Sequence, residues 1–330
     1  MNRKLLFSIV RIVFTLVVLV LLFKVIDFNL LLGHLRNLDI GFYLLGFAAY
    51  FGFIVLWTVR WRYLVQATGE KVSLLFLLKS TLIGEFFGLF LPEAVGSDLA
   101  RAYNLSRDTG KNTAAISTVL IDRAIALISL ALMAGIAVLV SNHVAGVADV
   151  TGIVFFVIIG LIGGWFLFFN KSFMRRFQWI FKIPYIDRFE SGIRGLYHSL
   201  HKLHEEPRLF VVTLLMSVIS QMVNVVAVIL ISRAVGTQVD PIHYFVFMPI
   251  IWIVTTIPIS ISGLGVREGA FAFFFTQVGM ASSAAIAVSF LHYACRIITG
   301  LVGGLLFLQM AVIHPRKPAD VALQGEGASR

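Results

Sequence analysis

Two stretches decide how this chain folds: Leu91-Pro-Glu-Ala-Val-Gly-Ser-Asp-Leu-Ala-Arg101 and Ile257-Pro-Ile-Ser-Ile-Ser-Gly-Leu-Gly-Val-Arg-Glu268. Each interrupts a long apolar run with a proline, then glycine, then an acid and an arginine close together. The two lie in comparable positions of the two halves of the chain. A proline–glycine break frees backbone groups that lipid cannot satisfy, so at membrane depth it persists only where protein or a wet cavity lines it. Ionised residues beside such a break are costly there and mark substrate or ion paths. Paired interruptions in corresponding positions point to a transporter's binding site. The reading that follows is a small membrane transporter.

Composition sets the same frame. Of 330 residues, 59% are hydrophobic and 13% charged, which excludes an ordinary soluble domain. Leu5–Ile26 follows Arg3 and Lys4 and is too long for a signal-peptide core, with no small-x-small site after it, so it reads as a retained first helix. The formal charge of +10 would suit nucleic acid, but the cations gather in a few loops, as the positive-inside rule requires, and no nucleic-acid role is expected. The lone Cys295, in an apolar segment, leaves no disulfide framework and no cysteine metal cluster. Gly110-Lys111 lacks the upstream glycine of a phosphate-binding loop. No cofactor and no metal are expected.

Outside the breaks, six spanning helices are expected, over about 5–26, 40–59, 114–140, 151–169, 209–232 and 280–310. The loop 141–150 has no Lys or Arg and should face outward, whereas 170–208 carries eight and should be cytoplasmic. The N-terminus, a 60–71 loop with Arg60, Arg62 and Lys71, the Arg107 and Lys111 region and the tail should share the cytoplasmic side. These assignments agree only if 73–100 dips in from the cytoplasm and returns, and 242–277 does so from outside. The expected fold is therefore an all-α polytopic membrane protein with two oppositely oriented re-entrant helical elements, an inverted repeat. One domain is expected over 1–313, with halves at about 1–169 and 209–313 joined by 170–208, and a disordered cytoplasmic tail over 314–330. Within the joining segment, Phe189, Ile193, Leu196, Leu200 and Leu203 form one apolar stripe. The basic helix over 186–206 either lies on anionic inner-leaflet lipid or packs under the bundle.

The candidate site residues follow from the breaks. Glu85, Glu93 and Asp98 surround the first, with Arg101 after it; Arg267 and Glu268 follow the second. Gly96, Gly263 and Gly265 would let backbone approach a ligand or take positive φ. A helix beginning after such a glycine aims its amides at an anion. Asp122-Arg123 lies inside a spanning helix and should face the bundle interior, either as a wall of the path or as an ion pair with Arg101 or Asp98. Arg296, one turn after His292, sits mid-helix; its planar fork suits a phosphate or carboxylate, the other reading being a salt bridge to Glu268 or Glu85. Gln221 and Asn224 share a helix face and read as interhelical hydrogen-bond partners, and Gly84 with Gly88 and Gly300 with Gly303 and Gly304 as small-residue packing faces. His34-Leu-Arg-Asn-Leu-Asp39 matches a histidine–aspartate spacing of some acyltransferases, a pattern short enough to arise by chance.

The run Phe90-Leu-Pro-Glu-Ala-Val-Gly-Ser-Asp-Leu-Ala-Arg-Ala-Tyr103, then Leu105-Ser-Arg-Asp-Thr-Gly-Lys111 and Leu120-Ile-Asp-Arg123, resembles a signature of the lysylphosphatidylglycerol synthase transmembrane (flippase) family. Pro258-Ile-Ser-Ile-Ser-Gly-Leu-Gly-Val-Arg-Glu-Gly-Ala270 resembles its second. The chain departs from the family at Glu93 and Ala94, where serine or glycine is common, and at Ser97, where a second glycine is. The resemblance implies a stand-alone lipid translocase without the soluble synthase domain, a transporter rather than an enzyme. It further implies membrane lipid, phospholipid first, as the substrate, a separate lipid-synthesising enzyme as a partner, and a bacterial or archaeal cytoplasmic membrane with both termini inside. Self-association into a homo-oligomer is also open. Two other readings compete: a non-catalytic membrane subunit that recruits a lipid-modifying enzyme, and an intramembrane transferase acting on polyprenyl-linked substrates.

Overall fold

The computed structural model describes residues 33, 34, 36–90, 93–140, 207–256 and 261–313, with the side chains of 93–95, 138–140, 261 and 311–313 outside that description. Among them the chain forms helices and no strand: α1 (Ile40–Ala67), α2 (Leu74–Phe90), α3 (Glu93–Thr109), α4 (Asn112–Val140), α5 (Pro207–Ala234), α6 (Pro241–Thr256), a 3₁₀ turn (Ile261–Gly263), α7 (Val266–Thr276) and α8 (Ser282–Ile313). Four of them, α1, α4, α5 and α8, are long and apolar enough to cross a membrane. They fall where four of the six spans are expected. The other two, at 5–26 and 151–169, lie outside the described residues, as do the loop 141–150, most of 170–208 with its 186–206 helix, and the tail 314–330.

One boundary is corrected. The helix expected to stop at 59 continues to Ala67, so Arg60 and Arg62 belong to α1 rather than to a loop. Charge did not end the helix; Gly69 did, at φ +89, with the amides of Thr68 and Gly69 closing on Val65 and Gln66. Asp39 starts α1 by accepting from the Phe42 amide at 3.1 Å, an N-cap bond. That bond accounts for the aspartate of the histidine–aspartate pattern, while His34 meets Ser283 at 3.4 Å.

α1 and α5 run antiparallel: Gly46 faces Ala227 and Ile231, Gly52 faces Val223, and Arg60 faces Ser217. The amide of Asp39 donates to the Ala234 carbonyl at 2.9 Å, which closes one end of the pair. Two helix hairpins insert beside this frame. α2 and α3 fold back on each other, with Gly84 against Ser97 and Arg101. Val72, Leu77, Leu105 and Ala115 cluster with Trp61 and Val65, and Lys111 pairs with Glu70, so both open ends of this hairpin lie at the C-terminal end of α1. The second hairpin runs from α6 through the 3₁₀ turn to α7. Tyr244 bonds Ser232 and its ring lies 4.7 Å from that of Phe275, so both open ends lie at the other end of the bundle, with the start of α8. The closed ends meet: Ser262 Oγ donates to the Gly88 carbonyl at 3.4 Å.

The small-residue faces make this insertion possible. A Cβ on Gly303 would lie 1.9 Å from the Leu82 carbonyl oxygen, and on Gly300 and Gly304 it would meet Leu89 and Phe86 at 2.8 and 2.7 Å. Thus α8 carries α2 directly on its glycines. Gly303→Ala is expected to destabilise by about 1–3 kcal/mol through overpacking, while Gly52→Ala, whose nearest neighbour is 3.9 Å away, is neutral or stabilising by up to about 1 kcal/mol. Thermal unfolding of the two purified variants in detergent checks the contrast.

Candidate functional site

Buried charge organises the interior. Asp122 on α4 is 1% exposed and accepts three hydrogen bonds, from Trp57 Nε1, Arg60 Nε and Arg101 Nη2, each at 2.8 Å. Arg60 also donates to the Ser217 hydroxyl, which meets Ser129 at 2.7 Å. The Arg101 guanidinium sits between the rings of Trp57 and Trp61, 4.7 and 4.1 Å from their centroids, and reaches Asp98 at 3.6 Å. Desolvated cation–π contacts of this kind are worth about 2 kcal/mol or more. Two cations on one carboxylate, backed by indoles, make α1, α3 and α4 one electrostatic unit.

A second unit belongs to the other break. Ser262, Gly263 and Gly265 all have positive φ, at 52, 73 and 83°, so the chain turns here through backbone that favours glycine. The turn delivers Glu268 onto the Gly265 amide at 2.7 Å, where it caps α7. Arg267 Nε donates to Glu268 at 3.0 Å and to Ser289 at 3.2 Å, and its guanidinium lies 4.0 Å from the ring centroid of Tyr293. A third pair crosses between α8 and α2, with Arg296 Nε donating to Glu85 at 3.0 Å. His292 meets Asn224 on α5 at 3.0 Å.

These units enclose a cavity of about 160 Å³ beside the meeting point of the hairpin tips. Of the residues singled out from sequence, Glu85, Asp98, Arg101, Asp122, Arg123, Gly263, Arg267, His292 and Arg296 line it. Asp122 is both a wall and an ion-pair partner of Arg101, and Arg296 pairs with Glu85 rather than Glu268. Three residues fall elsewhere. Gly96 lies inside α3 without positive φ, Gly265 supplies the cap of α7, and Glu268, fully buried, stands behind Arg267. The anion expected at the start of α7 is therefore the chain's own Glu268 carboxylate. Glu93 opens α3, with its side chain outside the description. Asn224 fulfils the interhelical role expected of it, whereas Gln221 lines the cavity.

Sequence reading missed Trp57, Arg60, Trp61 and Tyr293. The first three were assigned to the end of a span and a basic loop. Had Gly69 been taken as the stop, Trp57, Arg60 and Trp61 would have fallen within one helical turn of each other, on one face.

Apolar helices of spanning length around a buried, charged cavity define an integral membrane protein. Its particular lineage is equally plain. Residues 8–304 match the lysylphosphatidylglycerol synthase TM region, and the chain belongs to that family, which makes it a membrane protein of lipid handling. Comparison with curated proteins finds no match.

Asp122→Ala would leave Arg60 buried without its carboxylate and Arg101 with only Asp98 at 3.6 Å, a loss expected to cost about 3–5 kcal/mol. Lys111→Ala breaks the exposed pair with Glu70, where Lys111 is 63% exposed, and should stay within about 1 kcal/mol. Unfolding midpoints of both variants in the same detergent provide the comparison.

Proposed function

We propose that this protein translocates a polar-headgroup lipid, in the first instance a phospholipid, between the leaflets of the cytoplasmic membrane, acting as a transporter rather than an enzyme. The observation that carries this reading is the meeting of the two broken segments beside the charged cavity, with Ser262 on Gly88 at 3.4 Å. At 1.5 Å per residue, α2 and α3 reach about 25 Å, α6 about 24 Å and α7 about 17 Å, short of the roughly 30 Å hydrocarbon core. Each hairpin enters and leaves at one end of the bundle, and the two ends differ. This supports two re-entrant elements of opposite orientation. The Lys and Arg distribution supports a cytoplasmic position for the first hairpin's open end and for both termini.

The cavity's size fits a headgroup alone. Pockets that take a whole drug-sized ligand run to roughly 300–1,000 Å³, well above the 160 Å³ here. The acyl chains would stay in lipid while the headgroup crosses between the hairpin tips, which removes the cost of burying them in protein. Arginines offer phosphate oxygens paired, charge-assisted hydrogen bonds. The carboxylates keep those arginines affordable at depth before the lipid arrives. A lipid-synthesising enzyme is the partner class this reading expects, with the 186–206 segment as an anionic-lipid contact.

Reconstituted wild-type protein should accelerate the movement of headgroup-labelled phospholipid across liposome membranes. Ala126 lines the cavity without a charge to disturb, so Ala126→Trp should fill the space and reduce the rate at least about tenfold, as expected when a transport path is closed by a side chain the bundle must otherwise repack around. Folded wild-type protein that moves no lipid would sink the proposal.

A further inference from the structure

We infer that the headgroup this cavity takes carries one net negative charge, a phosphodiester with no ammonium to offset it, and that Arg123 selects it. The inference rests on the translocation reading and names its substrate class. Five arginines line the cavity: Arg60, Arg101, Arg123, Arg267 and Arg296. Four have carboxylate partners, Arg60 and Arg101 with Asp122 and Asp98, Arg267 with Glu268, Arg296 with Glu85. Those four cations thus meet four carboxylates. Arg123 is half-buried; its charge acts on Asp98, which Arg101 already holds, and among the described residues it makes no hydrogen bond and no ion pair of its own. A guanidinium facing a cavity within a membrane bundle is costly unless something anionic comes to it.

The hydrogen-bonding inventory points the same way. Arg101 Nε and Ser97 Oγ are buried with no partner, both on residues that line the cavity, and the Gln221 amide there also makes no hydrogen bond among the described residues. The cavity therefore holds uncommitted donors, which call for a ligand rich in acceptor oxygens. Acceptors are scarcer. Asp122 takes three donors, Glu85 takes Arg296, and Asp98 lies against Arg101. Two of the aromatic faces that could hold an ammonium, Trp57 and Tyr293, are covered already by Arg101 and Arg267. A monoanionic phosphodiester satisfies Arg123 and the open donors together. A zwitterionic headgroup would bring an ammonium to a site where arginines already hold the carboxylates and outnumber them five to four.

The test is lipid binding to the full-length protein in detergent, read by native mass spectrometry in competition between phosphatidylglycerol and phosphatidylcholine of matched chains. Wild type should favour phosphatidylglycerol by about tenfold or more, the scale of one hydrogen bond to a charged group. Arg123→Gln should bring the ratio close to one, and Arg123→Lys should keep most of the preference. Equal binding of the two lipids by wild type, or a preference that survives Arg123→Gln, overturns the assignment. Deacylated glycerophosphoglycerol forms a separate arm: binding as tight as the lipid's keeps the phosphodiester but makes its source soluble. Selective binding without transport in liposomes would defeat the translocation reading and leave this assignment standing.

Discussion

An ionised group in hydrocarbon must find an opposite charge and a full set of hydrogen bonds, or the helix carrying it will not stay inserted. Asp122 is where this protein meets that requirement most completely. Its three donors come from two helices, Trp57 and Arg60 from α1 and Arg101 from α3, so one carboxylate fixes the relative position of three elements. Arg101 could not occupy its place without the indoles on either side, nor Arg60 without the serine pair Ser217 and Ser129 behind it. The polar interior is thus assembled around charge compensation, and the cavity is the space those compensated groups leave between them.

The same requirement explains why breaks, glycines and charges occur together. A hairpin tip inside a bundle exposes backbone that only protein can satisfy. At the second tip, Glu268 satisfies an amide of the turn that positions it and takes Arg267 as counter-ion, so chain reversal and charge placement are one event. At the first, Gly84 lets Ser97 and Arg101 approach closely enough for Arg101 to reach Asp122. Glycines on α8 seat α2, and Arg296 on that helix then meets Glu85. Packing brings each cation within reach of its carboxylate, and each ion pair in turn holds the packing.

Much of this was legible in the sequence because membranes restrict the options. Apolar runs located α1, α4, α5 and α8, and the proline–glycine interruptions located the two hairpins. Charged residues beside them led to nearly all of the cavity's charged lining, Arg60 excepted, since few positions in such a chain tolerate charge at all. What failed was the treatment of charge as a helix boundary. Arg60 stands at the end of an apolar run and looks like a loop cation, yet its partner is Asp122, 62 residues away in sequence. No local pattern reports a partner at that distance. The capping role of Glu268 and the choice of Glu85 as the partner of Arg296 were equally hidden, because both depend on how turns and helices meet in space.

The central claim is that two hairpins of opposite orientation bring their tips together at a charged cavity. Labelling of single cysteines with a membrane-impermeant reagent, in sealed right-side-out and inverted vesicles and in a Cys295→Ala background, tests it most directly. Lys71 and Lys111 flank the first hairpin, Asp240 and Gln277 the second, and all four are exposed. The account predicts that cysteines at 71 and 111 react from the cytoplasmic face only, and those at 240 and 277 from the opposite face only. Reaction of 71 and 111 from different faces would mean that this segment crosses the membrane instead of returning, and would contradict the account.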